Sequence, residues 1–210
     1  MAADGDGRAD AQDGDAARVR AILGEASALH ARMQALDPAP IVSAARLCLD
    51  ALRAGRKVLA FGNGGSAAEA QHFAAELSGR FARERRALAA LALTTDSSAM
   101  TAIGNDYGFD RIFARQVEAL GQPGDVAVGI STSGRSANVL AALATARERG
   151  LHRITLTGDR GGEMAALADV HIGVPGTTTA RVQEVQLTVL HAICDLVEQA
   201  IAADDERARG

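Results

Sequence analysis

Three serines and a threonine crowd the entrance to one helix of this 210-residue chain, and that clustering points to phosphate chemistry. The stretch Asp125 to Leu143 reads DVAVGISTSGRSANVLAAL, so an apolar strand runs straight into Ser131, Thr132, Ser133, Gly134, Arg135 and Ser136 and then into an apolar helix. Unpaired backbone N–H groups and the positive dipole end at a helix start attract an anion, and short hydroxyl side chains add donors without blocking it. The plainer alternative is that Ser136 only caps the helix and the rest is a polar turn.

A second loop has the same design. Lys57 to Phe61 is a short apolar run followed by Gly62, Asn63, Gly64, Gly65 and Ser66 and then a helix. Glycine there lets a ligand approach the backbone closely. The loop lacks the Gly-Lys-Ser/Thr ending of a Walker loop, and its glycine spacing is not the dinucleotide fingerprint.

Proton-transfer chemistry has candidates on two helices. After the glycine loop, His72 and Glu76 are four residues apart and share a helix face. Near the C-terminus, Gln183 and His191 are eight apart, about 12 Å along a helix axis, so they cannot touch each other but could reach one ligand from its two ends. Each has an ordinary alternative. Glu76 could pair with Arg80 one turn on, and His191, in the run LTVLHAICDLV, could be a core histidine.

The elements that must carry these groups follow from hydrophobic periodicity. Val19, Ile22, Leu23, Ala26, Leu29, Met33 and Leu36 recur at three- and four-residue intervals and predict a helix over 18–36, with Pro38 and Pro40 opening a second through about 53. Strands at 57–61, 88–94, 126–130, 153–157 and 170–174 then alternate with helices at 67–82, 97–103, 109–119, 137–149, 162–168 and 179–203. Continuous apolar strands alternating with helices predict an α/β fold: a three-layer sandwich with a five-stranded parallel sheet, in which ligands bind beyond the carboxyl ends of the strands.

Composition supports one globular unit of 48% hydrophobic residues, with a core built from Ala, Leu, Val and Ile because only 3% are aromatic. The net charge of −4 arises in the first fifteen residues, where five aspartates face Arg8. That Gly/Asp/Ala-rich start predicts a disordered acidic tail over 1–17, a single domain over 18–203 and a short tail over 204–210. The remaining charge is balanced, which gives no electrostatic reason for direct nucleic-acid binding. With no signal peptide, no expected membrane span and two cysteines, Cys48 and Cys194, in apolar helical patterns, a cytoplasmic protein is expected.

Five motifs in order carry a resemblance: Asn63-Gly64-Gly65-Ser66, Ala70 to Glu76 (AQHFAAE), Gly104-Asn105-Asp106, Ser131-Thr132-Ser133-Gly134 with Ser136, and Arg181-Val182-Gln183-Glu184 followed by His191. Over about residues 18–200 the chain resembles the bacterial phosphoheptose isomerases of the sugar isomerase (SIS) fold. The resemblance implies conversion of the ketose sedoheptulose 7-phosphate to the aldose D-glycero-D-manno-heptose 7-phosphate, for the heptose of lipopolysaccharide, through an enediol. It further implies Glu76 as base and His191 as acid, with the phosphate on Ser131, Thr132, Ser133 and Ser136. The sugar would lie along Asn63, Gly64, Gly65, Ser66, Glu76, Asn105, Asp106 and Gln183. Zinc held by His72, Glu76, Gln183 and His191, and a homotetramer with sites between subunits, are implied as well. Two positions depart from the pattern, Gln186 where relatives often carry histidine and Arg86 where many carry proline, and neither removes a proposed catalytic group. A non-catalytic relative of the same fold, which binds the replication initiator, resembles the chain nearly as well but typically lacks the Glu76–His191 pair. A sugar-phosphate-sensing module would keep the serine loop without needing acid or base.

Overall fold

The apolar runs become five strands, β1 (Val58–Gly62), β2 (Ala90–Ala92), β3 (Val126–Ser131), β4 (His152–Thr157) and β5 (Val170–Gly173). All neighbours pair in parallel, in the order β2-β1-β3-β4-β5. The structure is a computed structural model that describes the backbone of residues 6–209 and the side chains of residues 13–209. Its helices are α1 (Asp6–Gln34), α2 (Ala39–Arg53), α3 (Gly65–Ser78), α4 (Ser97–Tyr107), α5 (Ile112–Leu120), α6 (Ala137–Glu148), α7 (Met164–Leu167) and α8 (Thr179–Arg209), with one 3₁₀ turn at Phe109–Arg111.

Parallel strands need crossovers, and these cover both faces of the sheet. Every residue of β1 and β3 is buried, and alternate residues feed two cores. Val58, Ala60, Val126 and Val128 pack with Cys48 of α2, Phe73 and Leu77 of α3 and Leu190 and Val197 of α8. On the other face, Leu59 and Phe61 pack with Phe113 and Val117 of α5 and Val139 and Leu143 of α6. Each fully buried large apolar side chain contributes on the order of 1.5–3 kcal/mol. The expected three-layer sandwich is therefore present. Because the chain leaves β1 toward β2 and then returns to the other side with β3, the β1–β3 crevice is the switch point where two loops diverge.

Both termini differ from expectation. Helix α1 begins at Asp6 rather than near residue 18, so most of the expected disordered tail is helical, residues 1–5 lying outside those described. No proline interrupts the segment, and its alanines and arginines are good helix formers that outweigh the cost of a few glycines. At the other end α8 continues to Arg209 through the expected C-terminal tail. Asp204 accepts from Arg53 Nε at 2.8 Å, and Asp205 accepts from the Arg86 backbone N–H at 2.8 Å and its guanidinium at 3.1 Å, which pins the last turns to the body. Helix α8 also has the length and mean hydropathy of a membrane span, yet half of its most apolar stretch is buried in the sheet-facing core.

Helix α3 stops at Ser78, four residues before the expected end, because a buried ion pair takes over there. The Arg85 guanidinium donates to the carbonyls of Gly79 at 2.7 Å and Glu76 at 2.8 Å, satisfying the helix end. Glu198 on α8 accepts the backbone N–H groups of Phe81, Ala82 and Arg83 at 2.9, 2.7 and 2.8 Å and stands 3.5 Å from Arg85. Burial alone would raise the Glu198 pKa, but the three N–H donors and Arg85 outweigh it and hold the carboxyl below its usual range. Glu198→Ala is expected to cost about 3 kcal/mol by leaving three N–H groups unpaired and the buried Arg85 guanidinium without its counter-charge. Urea unfolding at pH 7 measures it, and a loss under about 1 kcal/mol would show that water replaces the carboxylate.

Candidate active site

The two polar loops meet at the switch point through a reciprocal amide pair. Asn63, after β1, donates from Nδ2 to Asn138 Oδ1 at 2.8 Å, and Asn138, in the first turn of α6, donates back to Asn63 Oδ1 at 2.9 Å. Asn138 is buried and was not among the residues picked from the sequence; its position two residues after Ser136, on the inward face of the first helical turn, was the available signal. Ser131 is the last residue of β3, and its hydroxyl lies 2.9 Å from Ser136 Oγ and 3.3 Å from Ser133 Oγ. Ser133 Oγ in turn accepts the Arg135 backbone N–H at 3.2 Å. Ser136 makes no side-chain cap on α6, so the simple capping role is not the one it fills. Three hydroxyls face one another at the helix start instead.

Helices α3 and α8 pack side by side in the same direction. Gly65 opens α3 against Gln183: a Cβ at Gly65 would stand 2.3 Å from Gln183 Nε2, so no larger residue fits without moving that amide. Seven residues further along α3, His72 meets His191, their Nε2 atoms 3.3 Å apart and their rings edge to face with centroids 4.9 Å apart. His72 Nε2 is also 2.9 Å from Glu76 Oε1, and Phe81 packs on the His191 ring at 5.3 Å. The three donor atoms of His72, Glu76 and His191 lie within 4.8 Å of one another in a partly exposed cluster. The ordinary alternatives fail here. Glu76 turns to His72 rather than to Arg80, and His191 is not sealed in the core.

Gln183 does not join this cluster. Its amide lies by Gly65, about 10 Å before His72 along the α3 axis, because its eight-residue offset from His191 separates them by two turns of α8. The two imidazoles and one carboxylate nonetheless fit a small metal ion. Tetrahedral zinc with bonds of about 2.0–2.1 Å places neighbouring nitrogen ligands about 3.3 Å apart, which matches the separation of the two Nε2 atoms. Asn105 and Asp106 sit on the last turn of α4, exposed and bonded to each other at 2.8 Å. Helix α4 packs on the 3₁₀ turn and α5, and among the described residues no hydrogen bond joins these two residues to either loop or to the cluster.

Glu69, missed by sequence reasoning, stands on the same face of α3 as His72 and Glu76, at positions i, i+3 and i+7. It is 7% exposed, and neither carboxylate oxygen has a hydrogen-bond partner. Across the interface, at a height between Gln183 and His191, Gln186 is fully buried with both amide atoms unpaired. Desolvation pushes the Glu69 pKa up to about 7, opposed only by the Ser66 hydroxyl one turn before it. Glu69 thus binds a proton in the folded chain between pH 4.5 and about 7, where the unfolded chain does not, so stability falls as pH rises through that window. Glu69→Gln is expected to remove about 2 kcal/mol of this decline once solvent screening is allowed for. Unfolding free energies of both proteins at pH 5 and 8 test it, and identical pH slopes would contradict a protonated Glu69.

Comparison with known proteins gives the same picture. Residues 23–158 match the SIS domain family. The chain is similar to a phosphoheptose isomerase of Geobacter sulfurreducens, 59% identical over 161 residues that cover 77% of this chain and 85% of the relative. The solved phosphoheptose isomerase of Neisseria gonorrhoeae is 51% identical with a TM-score of 0.82, covering 87% of this chain and 97% of that one. That of Francisella tularensis is 36% identical with a TM-score of 0.85, covering 88% and 98%. With this identity over most of both chains, the chain belongs to the SIS domain family and within it to the phosphoheptose isomerases.

Proposed function

We propose that the chain converts sedoheptulose 7-phosphate to D-glycero-D-manno-heptose 7-phosphate, supplying heptose for lipopolysaccharide in the cytoplasm. The observation that carries this reading is the cluster of Glu76, His72 and His191, which puts a carboxylate and an imidazole within 4.8 Å, close enough to serve adjacent carbons of one sugar. Moving a carbonyl from C2 to C1 needs a proton taken from C1, a proton given to the C2 oxygen to form the enediol, and return of a proton to C2 as the C1 hydroxyl loses its own. Glu76 is assigned the carbon-bound proton. His72 holds its Oε1, which leaves Oε2 free to act. His191 is assigned the oxygen-bound proton, with Phe81 fixing its ring. Each such group supplies about 10²- to 10⁴-fold in rate. Zinc held by His72, Glu76 and His191 would occupy the His191 Nε2 and would take the place of its proton by polarising the carbonyl as a Lewis acid. Gln183, by the glycine loop with Asn63, Gly64 and Ser66, is assigned to the sugar rather than to the metal. The hydroxyls of Ser131, Thr132, Ser133 and Ser136 are assigned to the phosphate.

Glu76→Gln and His191→Gln are each expected to lower kcat by at least about 10²-fold with unchanged folding. His72→Ala is expected to lose bound zinc as read by metal analysis of tag-free protein. Near-normal turnover in either glutamine variant, or full activity with less than about one zinc per ten chains, would remove that residue or the metal from the mechanism.

A homotetramer is part of the same proposal. Val19 and Leu23 on α1 and Leu36 just after it are 55%, 64% and 46% exposed, and α4, which carries Asn105 and Asp106, buries no residue of its own. Packing between copies would cover the first and bring the second to a neighbour's site. Leu23→Glu is therefore expected to yield smaller species by light scattering together with loss of turnover, and a fully active monomer would refute shared sites.

A further inference from the structure

Beside the serine loop, on the β4 side, lies a cavity of about 320 Å³ lined by Thr132, Ser133, Arg135, Asp159, Arg160 and Thr177, among others. Its two cations are free. Neither the Arg135 nor the Arg160 guanidinium has an ion-pair or hydrogen-bond partner among the described residues, whereas Arg153 on β4 pairs with Asp169 and Arg149 after α6 donates to the Gly121 carbonyl. The loop that carries Arg160 is not loose. Gly134 and Gly162, both at positive φ, press backbone to backbone: a Cβ on Gly134 would lie 2.3 Å from Gly161 O, and one on Gly162 would lie 2.4 Å from Gly134 O. The Gly158 N–H donates to Thr132 O at 3.0 Å, the Met164 N–H to Gly134 O at 3.3 Å, and the Asp159 N–H to Gly176 O at 3.2 Å. Arg160 is thereby held on one rim of the cavity while Arg135 projects from the serine loop itself on another.

The serine loop supplies hydroxyls and N–H groups, which orient a phosphate but carry no formal charge. A phosphate monoester near neutral pH carries between one and two negative charges. Apart from the imidazoles of His72 and His191, the other ionisable groups assigned to the candidate site, Glu69, Glu76, Asp106 and the rim residue Asp159, are acids. We propose that Arg135 and Arg160 are specificity residues that recognise the charge of the substrate phosphate at the serine loop, with Asp159 moderating their attraction so that the anion can leave. This rests on the phosphate assignment made above, and it adds two residues outside the five motifs that carry the family resemblance. Arginine suits the task because its planar fork matches phosphate oxygens and remains charged throughout the working pH range.

Calorimetric titration with inorganic phosphate, together with turnover of sedoheptulose 7-phosphate, tests the proposal on four full-length proteins: unaltered, Ser133→Ala, Asp159→Asn and the double variant Arg135→Ala/Arg160→Ala. The double variant is expected to bind phosphate at least about tenfold more weakly and to raise KM similarly while kcat stays within about twofold. Its affinity should also lose part of the salt dependence of the unaltered protein. Asp159→Asn is expected to tighten phosphate by about twofold. If Ser133→Ala weakens phosphate but the double variant does not, the arginine proposal is overturned and the serine-loop assignment stands. If neither weakens it, both are overturned. A fall in kcat with unchanged KM in the double variant also overturns the proposal, since charge recognition acts on binding.

Discussion

The parallel packing of α3 against α8 brings together the candidate residues on both helices. At one end the missing side chain of Gly65 lets the Gln183 amide lie against the helix start, and two turns later the same register brings His72 to His191. A side chain at Gly65 would displace the Gln183 amide from the helix start, and a shift of one residue between the helices, about 1.5 Å along the axis, would misalign two imidazoles now 3.3 Å apart. The far end of the same interface is closed by Glu198, whose carboxylate gathers three N–H groups of the loop that places Phe81 on His191. The imidazole–carboxylate cluster and fold stability are thus supported by one helix pair, with an apolar sheet face behind it.

The switch point holds the second group of candidate residues. Strands β1 and β3 are neighbours although far apart in sequence, so their loops emerge side by side, and the Asn63–Asn138 pair fixes their separation. The hydroxyls of Ser131, Ser133 and Ser136 then occupy a rigid corner rather than a mobile turn. A flexible sugar chain needs such fixed points at both ends, since positioning of the reacting carbons supplies much of an enzyme's rate.

Much of this was legible in the sequence because the signals are local. Continuous apolar runs such as Val126 to Ile130 announce buried parallel strands, and hydroxyl and glycine clusters just after them mark the ligand edge. The pairing of His72 with Glu76 follows from four-residue spacing alone. Features that depend on distant partners were not legible. Nothing near Glu198 indicates that it binds the backbone of residues 81–83, and nothing near Glu69 or Gln186 indicates that both lose their water between two helices. The termini were misread for a related reason. Charge and glycine content suggest disorder at the start, whereas an uninterrupted run of helix formers keeps α1 helical from Asp6, and the ion pairs of Asp204 and Asp205 with Arg53 and Arg86 extend α8 at the end. Local spacing likewise placed Gln183 on the right helix without revealing that Gly65, not the histidine cluster, receives its amide.

Proton transfer by Glu76, as proposed, would make the carbon-bound hydrogen exchangeable with solvent, unlike a direct hydride shift between C1 and C2. Incubating the protein with sedoheptulose 7-phosphate in deuterium oxide and examining the product by NMR and mass spectrometry therefore tests the central claim most directly. The account predicts an aldose heptose 7-phosphate carrying deuterium at C2, whereas no aldose, or an aldose formed with no deuterium at that carbon, would contradict it.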